Sequence, residues 1–259
     1  DGLWISFTVI QIILLAIGII LLKKSFFNET KYKALLIDID DTILDFIASE
    51  YYALEQAFKE FGVIYNDETL NTYLKINTSY WHKFELKECS YNDIFSNRWI
   101  EFFKAINMEP IKDANDVYFK YLSKSSIILP NALKALKKLS LDYDIYYVTN
   151  GNNFVQHNRI YNTPIEKFAK EVFVSELIGY NKPEKKYFDY VLEKTGLKND
   201  EVIVIGDSLS SDMLGARNAN MASIWINPKG KTSDWYKGFE ANSLYDAQKI
   251  IRKLSNNKN

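Results

Sequence analysis

Leu35-Leu36-Ile37-Asp38-Ile39-Asp40-Asp41-Thr42-Ile43-Leu44 decides the fold of this chain. An apolar run ends here in acidic residues and a threonine. Such a run, bounded by a break, predicts a buried strand in a parallel sheet covered on both faces. Side chains alternate along a strand, so Asp38 and Asp40 start out pointing the same way from its C-terminal end. Open α/β sheets bind ligands at that end. Carboxylates crowded there repel one another, and their ionised forms need a cation between them. With no His or Cys nearby, a hard metal such as Mg²⁺ suits the pocket. The competing reading is an ordinary strand-to-turn junction, where Asp is common.

Downstream of this strand, placed at about residues 33–39, a turn and strand-like segment over 43–46 leads into helical spacing. That first helix, around 49–58, is stopped by Gly62. Asp67 reads as the N-cap of a helix running to about residue 86, and further helices are expected over 91–106 and 113–123. Between residues 48 and 126 no convincing alternating strand appears, so this part reads as an all-helical insert. From Pro130 onward helix and strand alternate: helix 132–139, strand 144–148, helix 154–161, strand 171–174, helix 183–195, strand 201–205, helix 212–219 and a last strand 222–226. An amphipathic helix is expected over 243–254. Strands alternating with helices imply a parallel, doubly wound sheet.

The chain has 259 residues, 47% hydrophobic and 25% charged, which fits one large or two smaller globular domains. A net charge of −1 gives no argument for a nucleic acid or an anionic surface as partner. The aromatic share, 15%, is high and is expected mostly in cores. A single cysteine, Cys89, excludes a disulfide within the chain and fits a reducing compartment; its reading as a nucleophile is weak.

Residues 3–22 carry no charge over 20 positions. At about 1.5 Å per residue a helix of that length spans roughly 30 Å, the hydrocarbon core of a bilayer. A transmembrane helix is therefore expected, with Trp4 at one interface and Lys23-Lys24 at the other. The positive-inside rule then places everything after it in the cytoplasm, anchored to the inner face of the membrane. A cleaved signal peptide fits less well, because there is no basic leading region and no small-residue cleavage site. A buried helix and a segment foreign to the native protein compete with the anchor, since no Met precedes Met108.

Asp38-Ile39-Asp40-Asp41-Thr42, Thr149-Asn150-Gly151, Lys182-Pro183 and Gly206-Asp207-Ser208-Leu209-Ser210-Ser211-Asp212 all fall at expected strand ends or loops. Taken in order, they resemble the motifs of the haloacid dehalogenase-like superfamily over about residues 31–228. The resemblance implies a Rossmann-like core from residues 31–46 and 127–259, with a helical cap inserted at 47–126. It casts Asp38 as a nucleophile that forms an aspartyl-phosphate, and Asp40 as general acid and base. It gives Thr149, Asn150 and Lys182 to the phosphate, and Lys182 also to neutralising Asp38 and the transferring group. Mg²⁺ is implied at Asp38, the Asp40 carbonyl and Asp207, with Asp212 binding through water or orienting that shell.

Each of these has an ordinary alternative. Thr149-Asn150-Gly151 could be a plain turn, Lys182 a solvated loop lysine, and Asp207 and Asp212 helix caps. Asp41 reads as a turn residue, and His82 and His157 as surface or packing residues. Trp81, Phe84, Arg98 and Trp99 lie in the helical insert, where they either pack or meet a substrate base or sugar.

Hydrolytic dehalogenases of the superfamily lack an Asp at the Asp40 position, because a halide leaves without a proton. Having Asp40 therefore argues for phosphate chemistry. The stretches around Asp38, Gly179-Tyr180-Asn181-Lys182-Pro183 and Asp207 are similar to the bacterial pyrimidine 5′-nucleotidase branch. That likeness implies a Mg²⁺-dependent phosphatase of nucleoside 5′-monophosphates, with a small phosphorylated metabolite and no nucleic acid as partner. The alternatives are a phosphatase of phosphoglycolate or a sugar phosphate, a phosphomutase, and a membrane-tethered binding protein without catalysis. Against the last, a buried carboxylate cluster is costly to retain without a metal.

Overall fold

The computed structural model of the protein describes residues 32–256 and, ahead of them, Val9 alone. The expected membrane span at 3–22 thus lies, Val9 apart, outside the described residues. Among those residues, no helix is long and apolar enough to cross a membrane.

The strands β1 (Ala34–Ile37), β2 (Asp144–Thr149), β3 (Glu171–Val174), β4 (Val202–Gly206), β5 (Ala222–Ile226) and β6 (Phe239–Ala241) form one sheet. Every pairing is parallel, in the order β3-β2-β1-β4-β5-β6. Between β1 and β2 lie α1 (Phe46–Phe61), α2 (Asp67–Glu85), α3 (Arg98–Ala105), α4 (Ala114–Leu122) and α5 (Ala132–Leu139). Helix α6 (Asn153–Tyr161) joins β2 to β3, and α7 (Ser175–Ile178) and α8 (Lys185–Thr195) join β3 to β4. Helix α9 (Leu214–Asn218) joins β4 to β5, and α10 (Leu244–Asn256) follows β6. The chain winds outward from β1 to β3, returns to β4 beside β1, and winds outward the other way. A sheet wound like this opens a crevice where its direction reverses, at the C-terminal ends of β1 and β4.

Alternation along the strands divides the sheet's core into two. Leu35, Ile37, Ile145, Tyr147, Ile203 and Ile205 pack with residues of α5 and α10, while Ala34, Leu36, Val148, Val202 and Val204 pack with residues of α8 and α9. Burial on both faces is why β1 and β4 read as unbroken apolar runs.

Helices α1 to α4 build a separate core rich in aromatic rings, among them Phe58, Tyr73, Trp99 and Phe102. Phe58 stacks on Phe102 with ring centroids 5.0 Å apart, and Tyr73 lies 4.7 Å from Trp99. Val155 of α6 enters the same core. Four further contacts seat this helical layer over the sheet's C-terminal edge. The Tyr91 hydroxyl lies 2.5 Å from Ser175 Oγ and donates to the Asn150 carbonyl, Lys87 pairs with Glu184 at 2.6 Å, and Ser210 donates to Glu85 at 3.1 Å.

Several expectations need correction. Asn66, not Asp67, caps α2: its side chain accepts from Thr69 N at 3.0 Å and Thr69 Oγ1 returns the bond, leaving Asp67 in the first turn where an acid suits the helix dipole. The expected helix 91–106 is interrupted by a π turn, Asp93–Asn97. The segment 43–46 pairs only through single bridges of Leu44 with Asp40 and Ile128, and α1 already begins at Phe46 under an Asp45 cap. Strand 222–226 is not the last, because β6 follows it. Only three residues long and exposed at two of them, β6 is too short to show a period.

Candidate active site

Asp38 continues the β1 ladder by one residue, its N–H donating to Ile205 O at 2.8 Å, and its side chain is buried. Lys182, on the loop before α8, reaches it from the side. The Lys182 ammonium donates to Asp38 Oδ1 and Asp212 Oδ1 at 2.6 Å each, and to the Val148 carbonyl at 3.2 Å. Those three acceptors match its three N–H bonds. Burial alone would push the Lys182 pKa down, but Asp212 and Asp38 more than reverse this and hold it above the ordinary lysine range.

The carboxylates feel the opposite pressure. Burial drives Asp38 well above the usual carboxylate range; Lys182 opposes this, and Asp212, Asp207 and Asp40 add to it. Burial, then Asp212 and Asp41, push Asp207 up to about 8. Oxygens of Asp38, Asp207 and Asp212 all lie within 4.8 Å of one another. Clustered carboxylate oxygens short of positive charge are the donor set a hard divalent cation takes.

Local sequence explains how these groups meet. A Cβ at Gly206 would stand 2.2 Å from Asp212 Oδ2, so only glycine lets that carboxylate lie against the end of β4. The Asp212 carboxylate accepts from Ser208 N at 3.2 Å, and Ser208 Oγ caps the turn by accepting from Ser211 N. The expected helix 212–219 is in fact a π turn, Leu209–Met213, followed by the short α9. The Trp225 indole donates to the Asp207 carbonyl at 2.8 Å and fixes that backbone.

The Asp40 carboxylate is held by two residues that the sequence reading missed. Gln156 Nε2 donates to Oδ2 at 2.6 Å, and Arg159 Nη1 donates to Oδ1. Both come from the inward face of α6, where Val155, Gln156, Arg159 and Ile160 are buried. Polar residues on an apolar stripe were the available signal, since a buried Arg or Gln needs a buried partner. Asp41 sits in the turn at φ 54, a left-handed conformation that Asp tolerates, and accepts from Phe46 N at 2.9 Å.

Thr149 ends β2 beside Asp38. Its hydroxyl oxygen accepts from Gly151 N at 3.1 Å and Gln156 Nε2 at 2.8 Å, which leaves its own O–H to donate. Tyr187, also missed, accepts from Thr149 N at 3.1 Å. The Asn150 side chain is engaged elsewhere: it accepts from Lys182 N at 2.8 Å and donates to Lys182 O at 2.7 Å. Its amide thus braces the Lys182 loop, so any contact of Asn150 with a phosphate falls to its backbone.

One cavity of about 370 Å³ joins these groups. Asp38, Asp40, Thr149, Lys182, Asp207 and Asp212 line its sheet side, and Glu50, Asn77, Trp81, Phe95, Arg98 and Phe119 its helical side. Of the four residues singled out in the helical insert, Trp81 and Arg98 border the cavity, while Phe84 and Trp99 are buried away from it. His82 and His157 lie at the surface outside it. The Cys89 thiol is pushed up by burial and by Asp93, which disfavours the thiolate a nucleophile needs.

Glu50 sets a pH dependence of stability. Burial raises its pKa from 4.5 to about 7; Arg98 and the Asn77 amide oppose the rise, and Asp41 and Asp40 add to it. A carboxyl whose folded pKa is raised contributes fully below pH 4.5 and loses that contribution as the pH climbs through about 7. The shift is worth about 3 kcal/mol. Melting curves of the wild type and Glu50→Gln should therefore converge or cross between pH 5 and 8, the wild type losing ground. Parallel curves would remove Glu50 as the cause.

The haloacid dehalogenase-like hydrolase family model matches residues 35–226. The chain is 32% identical over 203 residues to the HAD-hydrolase YfnB of Bacillus subtilis, covering 78% of this chain and 86% of that one. It is 33% identical over 202 residues to the pyrimidine 5′-nucleotidase PynA of Streptococcus pneumoniae, covering 76% and 84%. With the pyrimidine 5′-nucleotidase YjjG of Escherichia coli it shares 26% over 230 residues, 86% of this chain and 99% of that one. The crystal structure of magnesium-bound YfnB superposes with a TM-score of 0.81 at 30% identity, over 85% of this chain and 98% of that one. With the family's match running from the first strand to the fifth, the chain belongs to the haloacid dehalogenase-like hydrolases, and it is an enzyme of that family.

Proposed function

We propose that the protein is a Mg²⁺-dependent phosphatase that hydrolyses nucleoside 5′-monophosphates, pyrimidine ones above all. The observation that carries this is the meeting of Asp38, Asp207, Asp212 and Lys182 at the β1–β4 crevice, with Asp40 held beside them. PynA and YjjG support the substrate class. Residues 31–46 and 127–259 form the catalytic core, and 47–126 the cap that closes over the substrate.

Asp38, Asp207, Asp212 and the Asp40 carbonyl would hold Mg²⁺, whose charge lets an anionic nucleophile meet an anionic phosphate. Lys182 binds Asp38 Oδ1, so Oδ2 attacks phosphorus. The new Asp38–phosphorus bond forms as the ester P–O bond breaks, and Asp40 gives a proton to the departing 5′-oxygen. The alcohol leaves, and water then attacks the aspartyl-phosphate and passes its proton to Asp40. Inorganic phosphate departs and the Asp38 carboxylate is restored. The Thr149 hydroxyl holds a phosphoryl oxygen, while the Lys182 ammonium, its three N–H bonds engaged, neutralises Asp38 and the transferring group by its charge.

The test is phosphate release by the full chain from a panel of nucleotides, sugar phosphates and phosphoglycolate, with Mg²⁺ and with chelator. Release should be greatest from pyrimidine monophosphates, disappear with chelator and return with Mg²⁺. A higher kcat/KM on a sugar phosphate would move the substrate elsewhere, and turnover unaffected by chelator would reject the metal.

A further inference from the structure

We propose that Glu50 accepts a hydrogen bond from the edge of the substrate's base, which lies in the cavity's helical half against Trp81, Phe95 and Phe119. This rests on the nucleotide reading above. Glu50, Asn77 and Arg98 are each more than nine-tenths buried, yet all three border the same cavity as Asp38. Charges buried so deeply are retained only when paired or used.

Their hydrogen bonds run in one direction. Arg98 Nη2 donates to Asn115 Oδ1 at 2.6 Å, and Nη1 to Asn77 Oδ1 at 2.8 Å. That second bond fixes the Asn77 amide with its nitrogen toward Glu50, where it donates to Oε1 at 2.9 Å. Arg98 itself is boxed by aromatic rings, with Tyr118 at 5.1 Å and Phe95 at 5.8 Å. An internal staple would set the guanidinium directly on the carboxylate. Here an amide stands between them, and among the described residues no lysine or arginine makes an ion pair with Glu50. The chain of bonds therefore ends on an oriented carboxyl group at the cavity wall.

The surroundings select the ligand. Aromatic side chains beside a single polar edge suit a planar heterocycle, which stacks by its face and is read by its edge. A carboxyl oxygen takes a ring N–H or an exocyclic amino group, as Glu and Asp do with the cytosine amine. Arg98 and Asn77 on this wall are already bonded to Asn115, to each other and to Glu50, which leaves fewer groups for the several hydroxyls of a sugar phosphate. The volume of about 370 Å³ lies near the lower end of ligand cavities, which favours a single-ring base.

The test compares kcat/KM for uridine 5′-monophosphate, its N3-methylated analogue and ribose 5-phosphate, on the wild type and Glu50→Gln. For the wild type assayed at pH 8, where the Glu50 carboxyl is ionised, methylation should lower kcat/KM roughly ten- to a hundredfold, the scale of a hydrogen bond to a charged group. Glu50→Gln should lower the uridine-to-ribose-phosphate ratio by a similar factor and respond much less to methylation. If the wild type prefers uridine monophosphate but ignores the methyl group, Glu50 does not read the base, and the nucleotide reading stands without it. Glu50 is likewise excluded as the base's reader if Glu50→Gln lowers both substrates alike. If the wild type prefers ribose 5-phosphate, the nucleotide reading and this proposal fall together. The methylated substrate needs no variant, so a Glu50→Gln chain that fails to fold leaves the proposal open to refutation.

Discussion

Asp38→Asn is expected to abolish phosphate release from every ester while leaving the fold in place. An asparagine has no anionic oxygen to attack phosphorus, so no aspartyl-phosphate forms. It keeps the shape of the side chain and one acceptor oxygen for the Lys182 ammonium, which at present bonds Asp38 Oδ1 at 2.6 Å. It also removes one of three carboxylates whose oxygens lie within 4.8 Å of one another, so repulsion inside the crevice falls. The thermal midpoint should change little. Loss of a covalent nucleophile is worth a factor of about 10⁵ or more in turnover. Steady-state release from nucleotides and from an activated aryl phosphate measures it, with intact-mass analysis of quenched enzyme to look for the phosphorylated chain. Turnover within a hundredfold of the wild type would show that Asp38 is not the nucleophile.

Asp38, Thr149, Lys182, Asp207 and Asp212 were legible in the sequence because each sits at a strand end or a loop, where local pattern alone marks the position. The sheet then does the rest: β1 and β4 are neighbours, and β2 flanks β1, so residues more than a hundred positions apart share one crevice. The grip on Asp40 was not legible. Gln156 and Arg159 lie 116 and 119 residues from it, and helical periodicity shows only that they face inward, not what they meet. The helical insert raises the same difficulty. Its helices could be counted from spacing, but how α1 to α4 pack decides whether Trp81 borders the cavity or Trp99 fills a core. Likewise β6 carries too few residues for a period, and Asn66 takes the cap from its neighbour through a reciprocal bond with Thr69.

The grip on Asp40 leads to the second large effect, Arg159→Met. Arg159 is fully buried, donates to Asp40 Oδ1 and anchors itself on the Ser125 carbonyl at 3.1 Å. Without it, the Asp40 carboxyl loses the bond that, on the proposed mechanism, aims it at the leaving oxygen. For a nucleotide, whose 5′-oxygen is a poor leaving group, kcat/KM should fall by about 10² to 10³, the range of general acid catalysis. For p-nitrophenyl phosphate, whose phenolate leaves without a proton, the fall should be much smaller. The parameter kcat/KM is the right one, because it reports only steps up to alcohol release and so omits the later work proposed for Asp40 on water. Arg159→Lys, which keeps a cation but not the fork, should fall between the two. Removing a buried guanidinium also costs stability, since the Asp40 carboxylate and the Ser125 carbonyl each lose a donor. That cost lowers the amount of folded enzyme but scales both substrates equally. The ratio of the two kcat/KM values in one preparation is therefore independent of how much of the variant is folded, and an unchanged ratio would reduce Arg159 to a structural residue.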